Sequence, residues 1–221
     1  MKRAREMALL RLKEFKRFLK GLVDDIAVVW PEDVSHHLPE GHRPEDIMPD
    51  VRSVIVHITA LKHTVGRYRP GGWWNNRYEH VRAVNKAISA FLSELGHKTV
   101  CPSPWGHNRR TLMPKLQFKP LAVLAGMGWM GKNNLVIHPI FGPRIVIGVV
   151  LTDAQIERTR RPRLENGCGD CDACLHVCPI GALRPDGSFD RLRCYHRRRI
   201  LDKPCRFVCM RVCPIGAEYE C

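Results

Sequence analysis

Nine cysteines crowd into the stretch from Cys168 to Cys221, and only Cys101 lies outside it. Cys168, Cys171, Cys174 and Cys178, followed by Pro179, have the spacing C-x2-C-x2-C-x3-C-P. That spacing suits cubane iron–sulfur chemistry. Three thiolates two residues apart wrap one face of a 4Fe-4S cluster, while the fourth starts a helix and points to a second cluster. A related half-motif follows, because "LHVCPIGA" (Leu175 to Ala182) is echoed 35 residues later by "MRVCPIGA" (Met210 to Ala217). With crossed ligation one cluster takes Cys168, Cys171, Cys174 and Cys213, and the other takes Cys178, Cys194, Cys205 and Cys209. Cys205 and Cys209 stand one residue further apart than the first run would suggest, and Cys221 is the alternative ligand there. Zinc also uses paired C-x2-C units, but the three-cysteine run and the duplicated C-P-I-G-A are not zinc-ribbon features. Cys101 reads as a small buried apolar residue.

The elements that must position these thiolates fall into two blocks. The fold class expected is α+β: a mixed α/β N-terminal domain over residues 1–157, then a bacterial-type two-cluster 4Fe-4S ferredoxin module over 158–221. In the first block Leu12, Phe15, Leu19 and Leu22 recur at helical steps, predicting an amphipathic first helix. "DDIAVVW" reads as a short strand ending at Pro31, and the Pro- and acid-rich residues 31–50 as a loop. "RSVIVHITAL" is a buried strand by its β-branched content. "RYRPGGWWNNR" reads as a loop, followed by a helix from Tyr78 to Leu95 with Gly96 as its stop. A short strand in "HKTVCPSPW", a helix over 115–125, and strands in "NLVIHP" and "RIVIGVVLTD" complete the block. "ERTRRPRLENG" reads as a linker to the cysteine module.

The balance of 36 Lys and Arg against 22 Asp and Glu gives a net charge of +14 on 221 residues. This points to a polyanionic partner without identifying one. Eight ligand thiolates and two doubly positive cluster cores would lower the charge to about +10. Hydrophobic and charged contents of 44% and 26% exclude a disordered or fibrous chain. No apolar run approaches the ~20 residues of a membrane span, and the start has no secretory h-region. A reducing cytoplasmic location and no membrane partner are expected. Arg158, Arg160, Arg161 and Arg163, with Arg197, Arg198 and Arg199, suit phosphate contact or docking of an acidic electron donor; a solvated surface balancing anionic clusters serves equally. His36, His37 and His42 read as surface residues, while His176 and His196 neighbour ligands and can tune their potential. Trp73, Trp74 and Trp105 suit either a flat cofactor or packing.

"AGMGWMGKNN" places Gly126, Gly128 and Gly131 in G-x-G-x-x-G spacing. A dinucleotide fingerprint needs a strand before and a helix after, whereas here a helix precedes and a strand follows. A P-loop needs Ser or Thr after Lys132, and Asn133 stands there. A helix-ending turn explains one glycine; three glycines with Trp129, Lys132 and Asn133 fit a backbone surface that a ligand approaches closely.

Taken together, "LAGMGWMGKNNLVIHPIFGPRIVIGVVLTD", the cysteine run, the second C-P half-motif and "MPDVRSVIVHI" resemble the epoxyqueuosine reductase family over roughly residues 45–217. The resemblance implies an iron–sulfur oxidoreductase. Two 4Fe-4S clusters would pass electrons to a corrinoid (cobalamin) held against Gly126, Gly128, Trp129, Gly131, Lys132 and Asn133. The substrate implied is the epoxide of a modified nucleoside in tRNA, and the electron donor a reduced ferredoxin or flavodoxin. Reductive dehalogenases share the arrangement. The family's proton-donating Asp would fall at Thr111 or Leu112, so Tyr68, Tyr78 and His107 are the candidates for that role. The chain ends soon after the second cluster motif, without the helical-repeat region expected of longer members. The alternative reading is a ferredoxin-type electron-transfer protein serving a separate metalloenzyme with no organic cofactor of its own. A nucleic-acid-binding iron–sulfur module is a third. Oligomeric state is not legible.

Overall fold

Two eight-residue strands, β2 (Ser53–Ala60) and β6 (Ile145–Thr152), set the frame by pairing antiparallel along their whole length. The computed structural model describes residues 9–64, 72–104, 108, 110–199 and 207–219, with the side chains of 72–76 and 197–199 outside that description. β1 (Asp25–Val29) adds to the free edge of β2, and β3 (Thr99–Val100) to that of β6, giving an antiparallel sheet of order β1-β2-β6-β3. All eight residues of β2 are buried. Alternation explains this, since successive side chains face opposite sides and both sides are covered.

On one face Ile26, Val28, Ile55 and Val150 pack with Phe15 and Leu19 of α1 (Leu12–Phe18) and its end, and with Val84, Ile88 and Leu92 of α4 (Gly72–Glu94). On the other, Ala27, Val29, Val54, Val56, Ile58, Val149 and Leu151 meet Leu121 and Ala122 of α5 (Phe118–Leu124). The segment 31–50 also covers this face. It is not the plain loop its composition predicts. It forms α2 (Pro31–Val34) and 3-10 turns at Ser35–His37 and Pro44–Asp46. Asp33 accepts the Trp30 N–H and Asp46 the Arg43 N–H, as acidic residues do at helix starts. Val34, Leu38 and Met48 are buried in the core. The mixed helix-and-sheet architecture agrees with the α+β class expected.

α4 begins at Gly72, six residues before the predicted start at Tyr78. β4 (Trp129–Met130) and β5 (Val136–Ile137) form a small antiparallel hairpin after α5. The short α3 (Leu61–Thr64) follows β2. The cysteine segment carries α6 (Ala173–His176), α7 (Arg191–Arg199) and α8 (Val208–Arg211). No helix among the described residues is long and apolar enough to cross a membrane.

The stretch read as a linker is bound along β1. Thr159 N–H donates to Val28 O (2.8 Å), and Thr159 Oγ1 accepts the Val28 N–H (3.0 Å). Arg161 grips the Asp25 carboxylate with both guanidinium nitrogens, at 2.7 and 2.8 Å. Burial pushes the Asp25 pKa up, but bonds from His138 and Arg161 outweigh it and hold the carboxyl far below its usual range. Arg158 pairs with Asp33 at 2.6 Å and lies over the Trp30 ring. Two of the arginines that suited phosphate contact are thus engaged in covering an edge strand.

His57 of β2 is wholly buried and donates Nε2–H to Asn85 Oδ1 (2.8 Å), while its Nδ1 has no partner among the described residues. Burial lowers its pKa to about 4; the Asn85 bond opposes that shift, and the nearby His80 adds to it. Below the unfolded value of 6.5 the unfolded chain binds a proton that the folded chain refuses, so stability falls as pH falls toward about 4. Between about pH 7 and pH 5, urea unfolding should register a loss of about 2 kcal/mol from this residue. His57→Gln should flatten that part of the slope; an unchanged slope would refute the assignment.

Candidate iron–sulfur site and its docking surface

The sequence repeat is also a structural repeat. α6 and α8 are four-residue helices in equivalent places, each ending two residues before the C-P cysteine (Cys178 and Cys213). Each C-P turn then reaches a glycine with positive φ, Gly181 (57°) and Gly216 (67°). α6 and α8 pack against each other, which brings the two halves side by side.

Cys168, Cys171, Cys174 and Cys213 share one electrostatic neighbourhood. Burial raises the Cys174 pKa, and the charges of Cys168, Cys171 and Cys213 raise it further. The Cys213 pKa is raised by burial first; Cys168 and Cys171 add to the shift, and the Ile215 amide and Arg144 oppose it. This is the set that spacing assigns to the first cluster. No group of three or more His, Cys, Asp or Glu among the described residues has the geometry of a single-ion site. The four thiols are close enough to influence one another. Trp129 supplies a second sign of fit. Its Nε1 is buried without a partner among the described residues, and its ring lies where a Cβ on Gly167 would come within 2.8 Å. A sulfur acceptor at the adjoining Cys168 loop would satisfy that donor.

The second set is described in part. Burial pushes the Cys178 thiol up, but the N–H groups of Ile180, Ala182, Leu183 and Gly181 outweigh it and lower its pKa. The Ala182 N–H donates to Cys178 Sγ at 3.3 Å. The main chain links Cys178 to Cys194 through Asp190 N to Ala182 O and Cys194 N to Asp190 O. Cys209 lies on α8, while Cys205 and the alternative ligand Cys221 lie outside the described residues. Cys101 is exposed, which corrects its reading as a buried residue; it follows the edge strand β3 and its Sγ lies 3.4 Å from Ser89 Oγ. His176 is also exposed and turns to Asp172.

Every member of the glycine motif meets the chain itself. A Cβ on Gly126 would lie 2.7 Å from Pro162 O and 2.8 Å from Arg161 Cβ. On Gly128 it would lie 2.4 Å from Ile137 O, and on Gly131 2.6 Å from Ile137 Cγ1. The close approach inferred from the sequence is real, but these protein atoms make it, so the spacing needs no ligand to explain it. Lys132 Nζ donates to Gly169 O (2.7 Å), inside the first cysteine run. Asn133 Nδ2 donates to Cys209 O (3.2 Å), inside the second half. Spacing alone left this role unseen: the motif fastens both cysteine loops to the α/β body.

Arg144 completes the fastening and was not singled out by its sequence. It precedes β6 in "FGPRIVIG", is 1% exposed, and donates Nη1–H to Cys213 O and Ile215 O (3.0 Å each) and Nη2–H to Arg211 O (2.7 Å). The one available signal was a lone cation at the head of an apolar strand. Beside it, Gly142 and Gly216 let two backbones touch, since added Cβ atoms would lie 1.8 Å from Ile215 O and 2.2 Å from Phe141 C.

Of the proton-donor candidates, Tyr68 and His107 lie outside the described residues, as does Trp105. Trp73 and Trp74 fall on α4 with undescribed side chains. Tyr78 is half-buried on α4; Arg77 donates to its hydroxyl, and the Arg77 guanidinium also lies over the Phe207 ring beside α8. Tyr78 therefore sits on the side of the body that meets the cysteine module. The loop where the family's Asp would fall is held on its C-terminal side, by His42 Nδ1 to Pro114 O (2.7 Å) and by Arg191 to Met113 Sδ (2.6 Å), with Leu112 at φ 54°.

No family model matches the chain. Among curated proteins, the epoxyqueuosine reductase of Francisella cf. novicida is 31% identical over 164 residues, covering 68% of this chain and 45% of that protein. The epoxyqueuosine reductase of Salmonella typhimurium is 38% identical over 159 residues, covering 69% and 41%. The chain thus spans less than half the length of these two relatives. Among solved structures, an epoxyqueuosine reductase with an epoxyqueuosine-modified tyrosine-tRNA stem loop superposes with a TM-score of 0.67 at 18% identity, over 95% of this chain and 66% of that one. A structure of a reductive dehalogenase, an example of B12-dependent dehalogenation, superposes with a TM-score of 0.65 at 18% identity, over 87% of this chain and 29% of that one. The resemblance read from the motifs is therefore shown: the homologues are named as epoxyqueuosine reductases, which are oxidoreductase enzymes, and the fold is one that reductive dehalogenases share.

Proposed function

We propose, from this kinship with the epoxyqueuosine reductases, that the chain is an iron–sulfur reductase acting on an epoxide in a modified tRNA nucleoside. The observation that carries the reading is the shared electrostatic neighbourhood of Cys168, Cys171, Cys174 and Cys213, four thiols from two loops that the α/β body fastens. Cys178, Cys194, Cys205 and Cys209 hold a second 4Fe-4S cluster. A reduced ferredoxin or flavodoxin supplies one electron at a time from a reducing cytoplasm. Removal of the epoxide oxygen takes two electrons and two protons and releases water.

A corrinoid bound in the α/β domain would supply a metal centre able to draw oxygen from the epoxide. Kinship with the B12-dependent dehalogenase supports it, whereas the glycine spacing, explained by protein contacts, does not. Trp129, Lys132 and Asn133 meet the cluster loops, and Gly126, Gly128 and Gly131 shape the turns that carry them, so we place the cofactor's border along this seam. Tyr78, held by Arg77 on the same side, is the described residue proposed to hold the proton for the departing oxygen.

The test is anaerobic reconstitution with iron, sulfide and cobalamin, then incubation with an epoxyqueuosine-bearing stem loop and a chemical reductant. Mass spectrometry should register loss of one oxygen from the nucleoside. Full clusters and bound corrinoid without that loss would overturn the substrate. Full clusters without retained corrinoid would favour an electron-transfer protein, a reading to which the absence of Asp at Thr111 and Leu112 already lends weight.

A further inference from the structure

The β4–β5 hairpin holds a buried hydrogen-bond donor, the Nε1–H of Trp129, that has no partner among the described residues. Leaving a buried N–H unpaired is costly, and such groups in folded proteins call for an acceptor. The indole is fixed from two sides. Its backbone pairs with Ile137, and Gly128 before it lets the two strands close, since an added Cβ would lie 2.4 Å from Ile137 O. Its ring edge lies against Gly167. A Cβ added there would come within 2.8 Å of Cζ2, 3.0 Å of Cη2 and 3.3 Å of Cε2, the carbon bonded to Nε1. Gly167 has no left-handed φ, so the space it leaves, and not the turn, is what asks for glycine. Cys168 follows directly, with its N–H on Asn166 Oδ1 (3.0 Å), and Lys132 Nζ holds Gly169 O (2.7 Å). The hairpin thus sets an unpaired N–H beside the loop that opens the first ligand run.

We propose that the Trp129 indole N–H donates to a sulfur of the first 4Fe-4S cluster and raises that cluster's reduction potential. The inference rests on the iron–sulfur reading above, and it gives this donor to the cluster and not to the corrinoid. Sulfur is the acceptor that the neighbourhood supplies. Cys168, Cys171, Cys174 and Cys213 act on one another, and a cluster bound among them brings sulfide as well as thiolate acceptors to the loop that Trp129 faces. With a 2+ core and four thiolates the cluster carries −2. One electron from the reductant takes it to −3, with no bond made or broken and no proton moved. The added charge spreads onto the sulfurs, so an N–H donated to one of them binds the reduced state more strongly and favours it. Gly167 and Trp129 then act together, the missing side chain of one making room for the ring of the other.

The test is pulsed EPR on the full reconstituted chain, reduced with dithionite and labelled with 15N only at the indole nitrogens of its five tryptophans. The reduced-cluster signal should show a 15N coupling. Trp129→Phe, which keeps a ring and loses the N–H, should abolish it, and so should Cys174→Ala, which removes the first cluster. A redox titration should find the first cluster of Trp129→Phe lower by roughly a threefold change in the reduced-to-oxidised ratio, about 28 mV for one electron. Gly167→Ala should weaken the coupling and move the potential the same way. The proposal is overturned by no 15N coupling in the unaltered chain, by a coupling that survives Trp129→Phe or Cys174→Ala, or by one that appears on cobalt instead of the cluster. An unchanged potential in Trp129→Phe overturns it as well. If Trp129→Phe retains no iron, the coupling in the unaltered chain and its response to Gly167→Ala decide. Iron and sulfide content of the unaltered protein tests the cluster reading separately.

Discussion

Replacing Cys174 with Ala should remove about half of the iron and sulfide from the reconstituted chain and reduce epoxide reduction to background. The remaining signal should be that of a single cluster. Cys174 is the right probe because Cys168, Cys171 and Cys213 all act on its thiol. Cys101→Ala is the matched control: it lies outside the cysteine segment, is exposed, and should leave iron content and activity unchanged. Full iron retention in Cys174→Ala would sink the crossed ligand set. Stoichiometric zinc in place of iron in the unaltered protein would sink the cluster reading altogether.

The second large effect concerns the contact between the α/β body and the C-terminal half-motif. Gly142→Ala adds a Cβ 1.8 Å from Ile215 O at a residue whose φ is +57°. The backbone conformation costs ~1 kcal/mol for a non-glycine residue, and forcing two backbones apart costs ~2 kcal/mol more. Thermal unfolding should therefore move down by about 10 °C. Gly187→Ala separates the two causes, because its φ is +81° but nothing lies within 4 Å of the added atom. It should move by roughly a third as much. Equal shifts in the two variants would show that the close approach at Gly142 carries no weight.

How far the sequence could be read depended on the range over which each residue acts. β2 and β6 were legible because their apolar runs are long and rich in β-branched residues. The start of α4 was missed because Gly72, Asn75 and Asn76 look like helix breakers; Val84, Ile88 and Leu92 against the sheet, with Val81 against Leu61 and Val146, stabilise the helix and override them. β4 was missed because a two-residue strand inside a glycine motif has no periodicity to detect. The cysteine ligands were legible because chemistry fixes their local spacing. Arg144 was not, since its partners lie 67 to 71 residues away. The glycine motif was found for its composition, but its protein neighbours were not legible, because only the folded chain places Ile137, Arg161 and Pro162 against it.

The fastening has one chemical peculiarity. Lys132, Asn133 and Arg144 direct the hydrogen bonds described here to main-chain carbonyls, at Gly169, Cys209, Arg211, Cys213 and Ile215. The body therefore reads the path of the cysteine loops through these bonds, and meets their side chains at apolar and aromatic positions such as Phe207, Met210 and Tyr219. Such a socket tolerates rapid drift in its insert. A foreign cluster module with the same backbone trace, its cysteines and glycines, and apolar or aromatic residues at 207, 210 and 219 is expected to seat on this body.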